Sequence, residues 1–538
     1  MAGGRPGPAA RRTGRRGRQV QGRDDLAGRA LAGRAPQARA GRGGGTVTGT
    51  VEATSPSLRG QVRGGLVWSG LSSLLLRGGN LLLGIVLARL LAPEDFGVFA
   101  VALTVQAILM TLTDLGMGAD LVRAEHPERR APTVATLSLL SGAVLTASMV
   151  LTAGPVATAM GSADAAPVVV VLSFTLLLSG ASVVPVAYLT RDFQQKKLFV
   201  SEGVNFALST AVAVGLVLAG AGPMALAVSR LVGQAAGTTL QFVLLRMRPV
   251  WGFDRAVART ALRFGLPLAA ANMLSWALLN IDNVVVSRTS GVVALGFYVL
   301  AFNVSSWPMT AIGAAIRPVT LAAFARQQHE DPAPALRRAT ALSAAAAAPV
   351  GVLLAVLALP VVTVLYGERW APSAAALAGL ALFGGLRIVL DMLATFLIAR
   401  GAVSGVLWIQ VAWTIALVPA MVLGVRWGGL AGAGWAHLVV GVVLVLPAYL
   451  GVLRRAGAPV GAVLGSLWQP VLAMAPAGLA GQQVTAQIGH PALAALAGGT
   501  VALLLYAAVL QRWVRGRLSD PEPAPPGLEP SPALAVQR

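Results

Sequence analysis

The sequence predicts an all-α integral membrane protein. About 14 transmembrane helices form two six-helix lobes, related by a pseudo-two-fold axis along the membrane normal, with two extra C-terminal helices. Three observations predict it. The 538-residue chain is 56% hydrophobic and 12% charged, against about 45–50% apolar and about 25% charged residues in soluble domains. Apolar runs of about 20 residues, long enough for a helix to cross about 30 Å of hydrocarbon, recur almost end to end from residue 64 to 514. The third is a repeat: ARLLAPEDFGVFAVALTV (Ala88 to Val105) lies over SRTSGVVALGFYVLAFNV (Ser287 to Val304) at a constant offset, with Arg89 on Arg288, Gly97 on Gly296 and Phe99 on Tyr298. The short alternating segments of a membrane β-barrel are absent.

In chain order, residues 1–63 read as a disordered Arg/Gly-rich cytoplasmic tail, because GGRPGPAARRTGRRGRQVQGR has nothing with which to build a core. No short apolar core with a small-residue cleavage site follows it, so it is not a signal peptide. Its charge suits anionic lipid or a nonspecific polyanion, and no specific nucleic-acid partner is expected. The net charge of +21 is otherwise weak evidence. Lys196 and Lys197 are the lysines and the rest of the basic residues are arginines, as GC-rich coding favours. Helices are expected near 65–91, 98–120, 134–160, 166–190, 198–221 and 224–245, making an N-lobe of residues 64–246. Those near 262–287, 294–317, 338–366, 374–399, 403–425 and 429–453 make a C-lobe of residues 262–455. Two more, near 463–481 and 493–514, fill residues 463–514 and precede a cytoplasmic tail, 515–538.

Alternate loops differ in charge. One set carries Arg123, Arg129, Arg130, Arg191, Lys196, Lys197, the run Arg246 to Arg263, and Arg317, Arg326, Arg337, Arg338, Arg400, Arg454 and Arg455. The other carries Arg89, Arg288, Arg369 and Arg426. Retention of Arg and Lys inside makes the first set cytoplasmic, and an even number of crossings returns both termini there. The external loops are short, so no external catalytic domain is expected. The chain has no cysteine, which excludes disulfides, thiolate nucleophiles and cysteine metal sites. His126, His329, His437 and His490 lack ligand spacing. No metal or other cofactor is expected.

Six helices separate the two copies of the repeat, so both halves share one orientation and a cavity should lie where they meet. Pro185, Pro267 and Pro308 interrupt helices and mark expected bends.

Three stretches together, LARLLAPEDFGVFAVA, YLTRDFQQKKLF and NIDNVVVSRTSGVVALGFYVLAFNV, resemble one family. It is the polysaccharide-exporter, or O-antigen flippase, branch of the multidrug/oligosaccharidyl-lipid/polysaccharide (MOP) superfamily. The resemblance covers roughly residues 64 to 455. It implies two lobes that alternate access and carry an undecaprenyl-pyrophosphate-linked oligosaccharide from the inner to the outer leaflet of the bacterial cytoplasmic membrane. No bond is made or broken, so this is not an enzyme. Implied partners are the lipid-linked oligosaccharide, membrane lipids, H+ or Na+ as coupling ion, and the polysaccharide polymerase and glycosyltransferases of the same route.

An anionic headgroup crossing hydrocarbon needs cationic and hydrogen-bonding groups at mid-depth. Arg77 and Asn80 in the first helix and Arg387 in the tenth are the first substrate-binding candidates, followed by Arg230 and Asn303. Each mid-membrane arginine costs about 2.5–3.5 kcal/mol on insertion scales, so it needs a partner or a wet cavity. For Arg77 the competing reading is an ion pair with Asp114; for Arg387 it is Asp391, one turn on along the same helix. Asp282, Asn283, Arg288 and Arg89 cluster at the expected cavity mouth as gate or ion-coupling candidates. An ion pair of Asp282 with Arg288 or Arg89 would close an external gate. Asp114 and Asp391 are further coupling candidates.

Rival functions are a peptidoglycan lipid-precursor flippase or a drug/cation antiporter of the same superfamily. An antiporter wants buried carboxylates and aromatics at mid-depth, where this chain has arginines. A membrane-embedded glycosyltransferase or polymerase needs an external acidic or metal-binding loop, and none is visible.

Overall fold

The structure, a computed structural model, describes residues 75–113, 115–326 and 333–518. The tail 1–63, residues 64–74 at the start of the first expected helix, Asp114 (and with it the expected Arg77–Asp114 pair) and residues 519–538 lie outside it. So do His329 and the side chains of Arg317, Arg326, Arg512, Arg515 and Arg517.

A bilayer core offers no water, so each crossing must satisfy its own backbone N–H and C=O groups. Every regular element among the described residues is accordingly helical. In order these are α1 (75–90), α2 (Pro93–Thr113), α3 (Met117–Arg123), α4 (Pro127–Ala159), α5 (Ala165–Arg191), α6 (Gln195–Leu218) and α7 (Gly222–Leu245). They continue with α8 (Arg255–Leu279), α9 (Ile281–Arg326), α10 (Ala333–Val356), α11 (Ala358–Tyr366), α12 (Ser373–Ala399) and α13 (Val403–Val440). The last are α14 (Leu446–Arg455), α15 (Val460–Gln487) and α16 (Pro491–Leu518), with a 3-10 turn at Glu368–Trp370 before α12 and a π-helical turn at Gly441–Val445 before α14. Ten stretches among the described residues are long and apolar enough to cross a membrane, and the chain is a multi-pass membrane protein. One of them, Val403–Arg455, has 53 residues, over twice the length one crossing needs. It breaks at Gly429 (φ 55°, ψ −135°), as the 46-residue α9 breaks at Gly291 (φ 84°, ψ 176°).

Three expected helices are interrupted, each for a local reason. The second turns after Thr113 through Leu115 (φ 48°) and Gly116 (φ 68°). The seventh breaks at Asn280, whose Nδ2 donates to the Trp276 carbonyl at 2.8 Å and competes with the helical N–H for that oxygen. The ninth divides at Leu357, because the Pro360 ring clashes with the carbonyl of Val356, where α10 ends.

Packing repeats between halves. In the first, α5 lies against α2, α4 and α7; in the second, α12 takes the same place against α9, α10 and α13. The pair α15 and α16 attaches chiefly through α10, with α16 also packing on α11. The halves meet chiefly where α2 packs on α9, while α8 lies against α2, α3 and α4. The largest fully buried side chains include Trp370 and Tyr298, both close to the α2–α9 seam.

Candidate functional site

Between the halves lies a cavity of about 350 Å³. Arg77 enters it from α1 and Arg387 from α12, the two mid-helix arginines that sequence alone singled out. Asp391 lines it one turn from Arg387, and α9 contributes Ser305, Ser306 and Thr310 beside the rings of Phe302 and Phe383. Two guanidinium groups and one carboxylate thus share a single space, so the wall carries a net positive charge. Such a wall holds an anion at lower cost than bare hydrocarbon does.

The other substrate-binding candidates stand apart from this lining. The Asn80 Nδ2 donates to the Leu76 carbonyl of its own helix at 2.7 Å. Arg230 on α7 and Asn303 on α9 both have exposed side chains.

At the end of the bundle where α1 meets α2, the halves touch through backbone. A Cβ on Gly97 would stand 1.9 Å from the Val292 carbonyl oxygen, and one on Gly296 would stand 2.0 Å from that of Pro93. In the repeat, Gly97 aligns with Gly296 and Pro93 with Val292. The two contacts are therefore the same contact made twice, as a two-fold axis requires. Around it, Trp370 is buried between Phe96 (ring centroids 5.1 Å apart) and Phe297 (5.9 Å), one ring from each half. Asn283 adds a polar link, its Nδ2 donating to Thr104 Oγ1 of α2 at 3.1 Å.

The expected ion pair of Asp282 with Arg288 or Arg89 is not what forms. Asp282 is 5% exposed and turns inward, where its Oδ2 accepts from Tyr298 Oη at 2.9 Å and its Oδ1 from the Asn283 N–H at 2.9 Å. The arginines are exposed at helix ends and donate to main-chain carbonyls instead, Arg89 to Val364 and Leu365, Arg288 to Ala159. Unsatisfied carbonyls at a helix C-terminus compete well for a guanidinium, and a buried carboxylate bonded to a phenol is out of reach.

Sequence reasoning missed two residues. Trp370 falls between two expected helices and carries no signal of its own in the sequence. His437, one of four histidines without metal-ligand spacing, is buried in α13, its ring 6.4 Å from that of Tyr298 and 5.3 Å from that of Phe383 in the cavity wall. A histidine in the middle of an apolar helix was the available signal.

Comparison with known proteins agrees with this architecture. The lipopolysaccharide biosynthesis protein WzxC of Escherichia coli (strain K12) is 25% identical over 426 residues, 77% of this chain and 85% of its own. The succinoglycan biosynthesis transport protein ExoT of Rhizobium meliloti (strain 1021) is 27% identical over 364 residues, covering 67% of this chain and 74% of its own. Among solved structures, the lipid II flippase MurJ in its inward closed conformation superposes with a TM-score of 0.69 at 12% identity, over 84% of this chain and 100% of that one, and so shares the fold. The profile of the family described as "Polysaccharide biosynthesis protein" matches residues 86–375, more than half of the chain. The chain therefore belongs to the polysaccharide biosynthesis protein family, as the order of its motifs leads one to expect.

Proposed function

We propose that this protein flips a lipid-linked oligosaccharide of the undecaprenyl-pyrophosphate type across the bacterial cytoplasmic membrane, for export into polysaccharide. The observation that carries the reading is the convergence of Arg77 and Arg387, from opposite halves, on one cavity. Two guanidinia suit the two negative charges of a pyrophosphate diester, and the α9 hydroxyls and aromatic rings suit the adjoining sugar. The lipid tail stays in the bilayer while the headgroup crosses. Residues 64–246 and 262–455 act as the two lobes, with fourteen crossings and both termini in the cytoplasm, so that the short-loop end faces outward. Alternating access follows from the lobes rocking about their shared seam. Asp282, with Tyr298, is the acid we assign to H+ or Na+ coupling. The polymerase and glycosyltransferases of the same route are the expected partners, and similarity to WzxC and ExoT supports that route.

The test is flipping of a fluorescent undecaprenyl-pyrophosphate oligosaccharide in proteoliposomes, with wild type and Arg77→Ala inserted in equal amounts. Movement by wild type and its loss in the variant is expected. Wild-type transport of a peptidoglycan lipid precursor alone would move the assignment to that substrate, since the same cations suit it. Cation flux without lipid movement would favour the antiporter reading and sink this one.

A further inference from the structure

A helix ends with four carbonyls that its own backbone does not use, and a cation placed there is stabilised by the bonds and by the helix dipole. In this protein the cations come from the opposite half. Arg89, at the end of α1, sends its guanidinium across the seam to the last turn of α11. Nε donates to the Leu365 carbonyl at 2.9 Å and Nη2 to that of Val364. Arg288, its counterpart in the repeat, does the same in reverse: Nη1 donates to the carbonyl of Ala159, the last residue of α4. The residue before each arginine also bonds across the seam, with donor and acceptor roles reversed. The Ala88 carbonyl accepts from Trp370 Nε1 at 2.7 Å, and Ser287 Oγ donates to the Met160 carbonyl.

We infer that Arg89 and Arg288 form a reciprocal latch: each caps the terminal turn of a helix in the opposite lobe, and both caps must break for this end of the cavity to open. The latch rests on the reading that this end faces outward, and it adds to that reading which groups hold the end shut. The acceptors are fixed peptide carbonyls rather than carboxylates. The latch therefore carries no acid whose protonation releases it, and it yields only when a lobe moves away.

The numbers follow from the geometry. A cation at an exposed helix C-terminus is worth up to about 1 kcal/mol, or about fivefold in an equilibrium. Two caps that break together multiply, giving about 25-fold for both. Arg89 bridges two carbonyls with a planar fork, a geometry that the compact point charge of a lysine does not reproduce.

The chain has no cysteine, so Ser306→Cys in the cavity wall is a unique label site. Its reaction with a membrane-impermeant maleimide is measured in intact cells and in everted vesicles, alone and with Arg89→Ala, Arg288→Ala and both. Each single change should raise labelling from outside about fivefold and the double change about 25-fold, with Arg89→Lys between wild type and Arg89→Ala. Should an alanine variant fail to insert, the lysine variant at the same position carries the test. Unchanged labelling on both sides, or an effect of one arginine alone, overturns the latch. If the increase appears in everted vesicles instead, the latch stands and the outward orientation under Proposed function falls.

Discussion

Gly97→Ala tests the closed seam most directly. The new methyl carbon would lie 1.9 Å from the Val292 carbonyl oxygen. Ordinary contact begins near 3.4 Å, so the two backbones must part by about 1.5 Å. Neither atom sits on a flexible side chain, and relief has to come from moving α2 against α9. Overpacking of this kind costs about 1–3 kcal/mol. The cost falls on the closed arrangement alone, so the balance moves toward the open one by roughly 5- to 150-fold. Gly296→Ala, 2.0 Å from the Pro93 oxygen, should act in the same direction and to a similar extent. Gly203→Ala on α6 is the control, with no atom within 4 Å of the added carbon. The assay is the distance between spin labels at Ala163→Cys and Glu368→Cys, both exposed near this end, one in each half. Gly97→Ala should add a longer-distance population that Gly203→Ala lacks. Identical distance distributions in all three proteins would refute the reasoning that these glycines are present for close approach.

Other outcomes are expected from the buried cluster and the ring sandwich. Tyr298→Phe removes the donor from Asp282 Oδ2 and should cost about 1–3 kcal/mol, read as a lower melting temperature of the purified protein. Asp282→Asn keeps one acceptor oxygen for the Asn283 N–H and offers an amide N–H that the Tyr298 hydroxyl can accept, so it should melt near wild type while losing ion-coupled transport; full transport by this variant would remove Asp282 from coupling. Trp370→Phe keeps a ring between Phe96 and Phe297 but loses the bond to the Ala88 carbonyl, worth about 1 kcal/mol. It should enlarge the longer-distance population about fivefold, and a wild-type distribution would show that the indole N–H does not help hold the seam.

Helix positions, the internal repeat and the two cavity arginines were legible in the sequence, because each depends on local hydrophobicity or on a charge placed where hydrocarbon makes it costly. Breaks inside helices were less legible. Pro360 and Asn280 act through single competing groups that a hydropathy reading averages away. The seam contacts are half legible: Arg89 and Arg288 stand out by their charge, but their acceptors are peptide carbonyls, which carry no sequence signature at all. Opposite charges invite pairing, but the fold turns Asp282 toward Tyr298 instead. Trp370 and His437 take their roles from residues far along the chain, Ala88 and Tyr298 among them, and only the tertiary arrangement joins them.

The doubled glycine contact also bears on the history of the chain. If the halves descend from one duplicated ancestor, the contact on the axis began as an ancestral surface meeting its own copy. A change at position 97 must be accommodated at 292, and one at 296 must be accommodated at 93, so neither copy is free to drift by itself there. Away from the axis no such tie exists, and each copy diverges independently. The repeat read from the sequence, Ala88 to Val105 over Ser287 to Val304, falls on the two segments that press against each other.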